Sequence, residues 1–160
     1  MEMIPPPTKK KKERLPVMGW REWVSLPELG VAKIKAKVDT GAATSAMHIS
    51  HFRMLNSKKK DSAKVEFRIH PVQGKSHPAI IARAHLVEHR HVRSSVGHLT
   101  ERPVIHTTLK VGENSWPIEL TLVNRDIMSF RMLIGREAIK RRYLVNPGRS
   151  HLIKKIKPKE

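Results

Sequence analysis

An all-β architecture, barrel or sandwich, is the fold class this 160-residue chain predicts. Three observations carry it. Segment after segment alternates apolar and polar residues with period two, the pattern of half-buried strands. Turn signals separate the segments, at Leu26-Pro27-Glu28-Leu29-Gly30, Gly112-Glu113-Asn114 and Pro147-Gly148. Only Glu137 to Tyr143, after Gly135, is convincingly helical. The length fits one domain with short extensions, large enough to bury a core.

Residues 1–14, where Pro5-Pro6-Pro7 precedes Lys9 to Lys12, are expected to form a disordered basic arm. Residues 15–153 are the domain, and 154–160 a basic tail. Gly19-Trp20-Arg21-Glu22-Trp23-Val24 has strand composition, with Trp20 and Trp23 expected in the core or at a dimer edge and Glu22 on the opposite face. Ile34, Ala36 and Val38 alternate with Lys33, Lys35 and Lys37, so a half-buried strand carries Asp39 to its end. Met47, Ile49 and Phe52 follow among polar neighbours. Lys58-Lys59-Lys60-Asp61 reads as a hairpin tip, and Val65-Glu66-Phe67-Arg68-Ile69 as a strand. Ala79 to Val92 fits an amphipathic helix or a long strand. Val104 to Val111 is β-branched, and Trp116 to Val123 resumes the strand pattern. Leu144-Val145 and Leu152-Ile153 are expected to pair as a last hairpin around Pro147-Gly148.

The formal net charge is +18. The arm and the tail each carry net +3, so subtracting both leaves +12 on the body. Such a field attracts nucleic acid, ribosomes or acidic peptides in a salt-dependent way. With three Trp, three Phe and one Tyr, base-stacking platforms are not expected. The absence of cysteine excludes disulfides, thiolate zinc sites and cysteine nucleophiles. No run approaches the ~18 apolar residues of a membrane span, and a soluble, cytoplasmic protein is expected.

Asp39-Thr40-Gly41-Ala42 has a counterpart in Met132-Leu133-Ile134-Gly135-Arg136, three apolar residues running into Gly-Arg. In this order the two motifs resemble those of retropepsin-type aspartic peptidases, where the apolar-apolar-Gly segment packs beside the Asp-Thr-Gly loop. More closely, the chain resembles a bacterial retropepsin-like family often labelled ATP-dependent zinc proteases and associated with ribosomal-protein glutamate ligases. Gly19 to Val24, Ala36 to Ala42, Arg93-Ser94-Ser95-Val96-Gly97, Arg102-Pro103-Val104-Ile105, Thr121-Leu122 with Asn124-Arg125, and Met132 to Arg136 carry that closer likeness. It spans nearly all of residues 17–153. The resemblance implies a closed acid-protease barrel with one short C-terminal helix, active as a homodimer. It places the catalytic acid at Asp39, with Thr40 bracing the loop across the dimer axis and Gly41 admitting the substrate backbone. Ala42 and Arg136 are implied at the substrate side, Ile134-Gly135-Arg136 as the supporting motif, and Ser94-Ser95-Val96-Gly97-His98 as the best candidate cover.

The chemistry adds its own constraint. Water attack on a peptide needs one carboxylate as base and one carboxylic acid as donor, a pair that shares a proton when the two are held together. This chain supplies one Asp-Thr-Gly loop; its other aspartates are Asp61, in a lysine run, and Asp126, with no Thr-Gly after it. The second carboxyl is therefore expected from Asp39 of another copy. Two positions depart from relatives. Ala42 stands where pepsin-like enzymes place Ser or Thr, and Ala43 where retroviral ones place Asp. Arg136 thereby loses its usual partner, leaving Glu22, Glu137 or an acidic substrate.

Two competing functions follow from other residues. His85-Leu86-Val87-Glu88-His89 has the H-x-x-E-H pattern of an inverted zinc-peptidase site, with His85 and His89 as ligands and Glu88 as base, provided the segment is helical. As a strand it would hold the two histidines about 13 Å apart. No Gly-rich loop ending in Gly-Lys-Ser/Thr supports ATP dependence, and no cofactor is expected. The other competitor is a non-catalytic basic module docking on ribosomes or RNA. The leading expectation is an aspartic endopeptidase acting on an acidic or glutamylated segment.

Overall fold

The structure, a computed structural model, describes residues 14–55, 63–93, 96–124 and 129–154, with Arg93 by its backbone alone. The arm up to residue 13, the Lys58 to Asp61 tip, Ser94, Ser95, Arg125, Asp126 and the tail from 155 lie outside the described residues.

Among the described residues ten strands, a 3-10 turn at Pro27–Leu29 and one turn of α-helix are formed. The strands and the helix are β1 (Val17–Gly19), β2 (Arg21–Leu26), β3 (Val31–Asp39), β4 (Ser45–Leu55), β5 (Lys64–Ile69), β6 (Ile80–Arg93), β7 (Leu99–Val111), β8 (Asn114–Val123), β9 (Met132–Gly135), α1 (Arg136–Ile139) and β10 (Leu144–Asn146). Eight strands join in the order β2-β3-β9-β4-β5-β6-β7-β8, and two further pairings, β2 with β7 and β4 with β8, bring the sheet round on itself. The result is ring-like: β2, β3, β9, β4, β8 and β7 form a circuit that closes at Ser25 opposite Lys110. Mostly-β organisation with one short helix is thus as the sequence predicts.

The core fills the ring. Ile34, Ala36 and Val38 of β3 point inward and their lysine neighbours outward. Phe67, Met47, Ile49, Leu120, Leu122, Met132 and Ile134 pack with them, all essentially inaccessible. Residues 80–93 resolve as strand, not helix.

Three local expectations are corrected. The helix ends at Ile139, well short of Tyr143, because Lys140 leaves helical geometry (ψ 137) and Arg141 takes a left-handed φ of 65. Leu144–Asn146 does not pair with Leu152-Ile153; it lies parallel to Val17–Gly19. Glu22 does not face solvent: with Val24 and Leu26 it points inward, 1% exposed, while Trp23 faces out. The Glu22 carboxylate accepts the backbone N–H groups of Gly19 (2.6 Å), Leu152 (2.8 Å) and Ile153 (3.1 Å), and so anchors the C-terminal segment to the ring.

That segment seats His151 against Trp23, with ring centroids 6.0 Å apart and planes 22° from parallel. Burial first, then the charge of Arg21, push the His151 imidazole below its usual 6.5; Glu22 pulls the other way, and Lys35 and Lys33 add smaller pushes. A histidine lowered in the folded state contributes fully above pH 6.5 and loses that contribution as pH falls through its folded value. Thermal unfolding from pH 7.5 to 5.5 should therefore show a steeper loss for wild type than for His151→Gln; parallel curves would contradict this.

Candidate active site

Asp39 ends β3 opposite Gly135 of β9, the last of four parallel pairs that begin at Ala36 and Met132. On its other side β9 runs antiparallel to β4, with Met47 opposite Met132 and Ala46 opposite Leu133. The loop 40–44 therefore leaves β3 and enters β4 around the end of a strand lodged between them. Backbone bonds fix it there: Ala42 N–H donates to the Asp39 carbonyl (3.2 Å), Arg136 N–H to the Ala42 carbonyl (2.8 Å) and Glu137 N–H to the Ala43 carbonyl (3.1 Å). The last two donors are first-turn helix amides that have no partner within a helix. Gly135 N–H donates to the hydroxyl of buried Ser45 at 3.1 Å.

The carboxylate itself is half-buried, and Thr40 and Gly41 beside it are exposed. Asp39 Oδ1 accepts the Gly41 N–H at 3.1 Å, which aims the carboxylate within the loop. A Cβ at Gly41 would stand 3.3 Å from that oxygen, close enough to crowd it. A Cβ at Gly135 would meet the Thr44 carbonyl carbon at 2.5 Å and its oxygen at 2.6 Å. Those are backbone atoms, so relief requires the loop to leave β9. Gly135→Ala is expected to cost about 3 kcal/mol and to displace Asp39. Urea unfolding checks the stability, and a change below about 1 kcal/mol would contradict the packing described.

Arg136 finds a partner the sequence did not indicate: its Nη1 donates to the Gly41 carbonyl at 3.1 Å, bracing the loop from outside. Neither carboxyl weighed for it is engaged there. Glu22 is buried elsewhere, and Glu137 pairs with Lys140 at 2.9 Å. Ile134 is fully buried under the loop, and Ala42 is half-buried. Ser45 was missed by sequence reading. Its signal is a hydroxyl at the first, inward-facing position of a strand following Asp-Thr-Gly, where an apolar residue is the norm. A cleft of about 320 Å³ opens beside Thr44, Ser45, Ile118 and Glu137.

The segment proposed as cover falls at the tip joining β6 to β7, where Gly97 has φ +83 and Val96 is exposed. Leu99 is six residues along β7 from Ile105, which lies level with Leu120 and through it with Ser45. That is a path of about 20 Å along the strand. The H-x-x-E-H segment lies on β6, so the helix its zinc chemistry requires is absent. A register shift falls between Leu86 and Glu88, and His85, Glu88 and His89 are exposed. His89 is 3.5 Å from Glu101, and Glu88 is taken by Arg90 at 2.6 Å. Among the described residues no three His, Asp or Glu side chains converge as a metal-ligand group.

A β ring that presents an aspartate from a strand end, on a loop tied to an apolar-apolar-Gly strand, has the build of a retropepsin-like acid protease. The chain belongs to the RimB-like family, described as retropepsin-like aspartic endopeptidase RimB, whose model matches residues 17–156. It is 45% identical over 135 residues to a probable alpha-L-glutamate ligase of Parasynechococcus marenigrum, covering 84% of this chain and 28% of that protein. A probable alpha-L-glutamate ligase of Shewanella pealeana is 40% identical, with 84% and 29% covered. The chain thus spans less than a third of these curated relatives. In fold it is similar to a Legionella pneumophila protein of unknown function, DUF785, with TM-score 0.70 and 22% identity over 87% of this chain and 98% of that one. No helix among the described residues is long and apolar enough to cross a membrane.

Proposed function

We propose that the protein is an aspartic endopeptidase whose catalytic dyad is formed by Asp39 of two copies meeting at a two-fold axis. The observation that carries this reading is the Asp39 loop: a half-buried carboxylate oriented by Gly41 N–H, on a loop held at the β9–α1 junction by the backbone N–H groups of Gly135, Arg136 and Glu137 and by the Arg136 brace. Rigid placement of this kind is what a proton-transfer pair requires. In the reaction, the ionised carboxyl takes a proton from water as the water oxygen bonds to the peptide carbon. The protonated carboxyl donates to the carbonyl oxygen. Collapse of the tetrahedral intermediate then breaks the C–N bond, and the amine leaves with a proton returned by the dyad. A loop exposed at Thr40 and Gly41, next to the half-buried Asp39, leaves room for a second copy to approach.

The substrate proposed is an acidic, glutamate-rich segment, such as a glutamylated tail of a ribosomal protein. Its support is the +12 charge of the body. Further support comes from relatives named glutamate ligases, of which this chain matches under a third. Whatever ligase activity those proteins have belongs to chains three times longer. The test is cleavage of Glu-rich against neutral peptides of equal length at low and moderate salt, each with and without chelator. Glu-rich peptides are expected to be cut at least tenfold faster at low salt, with the advantage shrinking as salt rises. Equal rates would remove the acidic-substrate reading, and loss of cleavage with chelator would overturn the dyad in favour of a metal.

A further inference from the structure

The outer face of β2 and β3 is a second functional candidate. Lys33, Lys35 and Lys37 stand about 7 Å apart along β3; across the ladder Lys35 is opposite Trp23, and Lys37 opposite Arg21. Lys110 of β7 extends the row beside Ser25. The Lys33 and Lys35 ammonium groups lie 4.0 and 5.0 Å from the centre of the Trp23 ring, on which His151 is also stacked at 6.0 Å, so a base would take the place of the two lysines. None of these four lysines forms an ion pair among the described residues. Two clefts flank Trp23. One, of about 570 Å³, has an apolar wall that includes Pro71, Val72, Pro78 and Ile80. The other, of about 320 Å³, is lined in part by Lys33 and Lys110. No aspartate or glutamate lines either cleft.

An acidic peptide would use the lysines but has no need of the ring or the apolar wall. A nucleotide strand uses all three, with phosphates on the ammonium groups and a base on the aromatic and apolar surfaces. The lysines now over the ring would swing to the phosphates. The two exposed cation–π contacts together are worth about 5- to 30-fold in affinity and base–aromatic stacking about 5- to 150-fold, and the displaced ammonium groups gain phosphates, so the exchange favours the base. We propose that this face binds single-stranded RNA, one base stacking at Trp23 and neighbouring phosphates pairing with Lys33, Lys35 and Lys110. The low aromatic content argues against such a platform only until the fold turns Trp23 outward into the basic row.

The test is fluorescence anisotropy of the full chain with a labelled ten-nucleotide oligouridylate between 50 and 200 mM salt, and with inorganic polyphosphate as the anion without bases. Three phosphate contacts predict a log–log salt slope of about −2. Trp23→Ala is expected to weaken RNA binding about tenfold while leaving polyphosphate within about twofold, and Trp23→Phe to retain RNA binding within about threefold. Lys33→Ala/Lys35→Ala should weaken both ligands about tenfold and flatten the slope by about 1.4. Lys64→Ala/Arg68→Ala, an equal charge change on β5, should leave both within about twofold. The proposal is overturned if the β5 pair loses as much as the β3 pair, which would indicate the general field alone. It is also overturned if Trp23→Ala affects RNA no more than polyphosphate, or if a poly-glutamate peptide binds with the same dependence on Trp23, which would make this a peptide site.

Discussion

With Asn in place of Asp39, peptide cleavage is expected to fall on the order of 10⁴-fold or more, with the fold intact. The substitution is close to isosteric, and the carboxamide oxygen still accepts the Gly41 N–H that Asp39 Oδ1 accepts at 3.1 Å. The loop's other ties run through backbone atoms, Ser45 and Arg136, none of which changes. Thermal stability should therefore remain within a few degrees of wild type. What disappears is the chemistry: an amide neither accepts the proton of the attacking water nor carries one to the carbonyl oxygen. In the proposed dyad every protomer is altered, so both carboxyls are lost together and no partner carboxyl remains to take over. Cleavage kinetics on a Glu-rich peptide, with unfolding curves alongside, check both halves of this expectation.

The second large effect is on stability. Glu22→Ala removes the acceptor of three backbone N–H groups, from Gly19, Leu152 and Ile153, at a site 1% exposed. Each donor left buried and unpaired costs about 1–3 kcal/mol, so a total near 4 kcal/mol is expected even if one of them reaches water. Against a typical domain stability of about 5–15 kcal/mol, that is severe. Glu22→Gln should fall between the two, since its single carbonyl oxygen keeps part of the set while its NH₂ opposes the rest. The loss should appear first where the segment is tethered, as faster amide exchange at Leu152 and Ile153, and then in the urea midpoint. A loss below about 1 kcal/mol would mean that the segment finds other acceptors.

Glu22 also shows where sequence reading stops. A lone glutamate between two tryptophans reads as a surface charge, because burying a carboxylate is costly without donors. Two of its three donors come from residues 130 and 131 positions away, and no local pattern reveals them. β3 was legible for the opposite reason: lysines and small or branched apolar residues alternate without exception from Lys33 to Val38, and its end at Asp39 follows. β6 left helix and strand open because Ala82, Ala84, Leu86 and the histidines satisfy either period, and only its pairing with β5 and β7 decides. The helix was over-extended because Arg141 takes a left-handed φ that its residue type does not advertise. At the candidate site, the packing of the Asp39-Thr40-Gly41 loop beside Ile134-Gly135-Arg136 was readable from the two motifs. Ser45 and the Arg136 bond to the Gly41 carbonyl depend on how β9 inserts between β3 and β4, a tertiary fact.

The shared dyad is tested most directly by mixing wild-type and Asp39→Asn chains at constant total concentration, allowing subunit exchange, and following cleavage of a Glu-rich peptide. If each active site needs Asp39 from two chains, activity follows the square of the wild-type fraction and an equal mixture retains about one quarter of the starting rate. A linear fall, with about one half retained at equal mixture, would mean that each chain carries a complete site and would contradict the dyad.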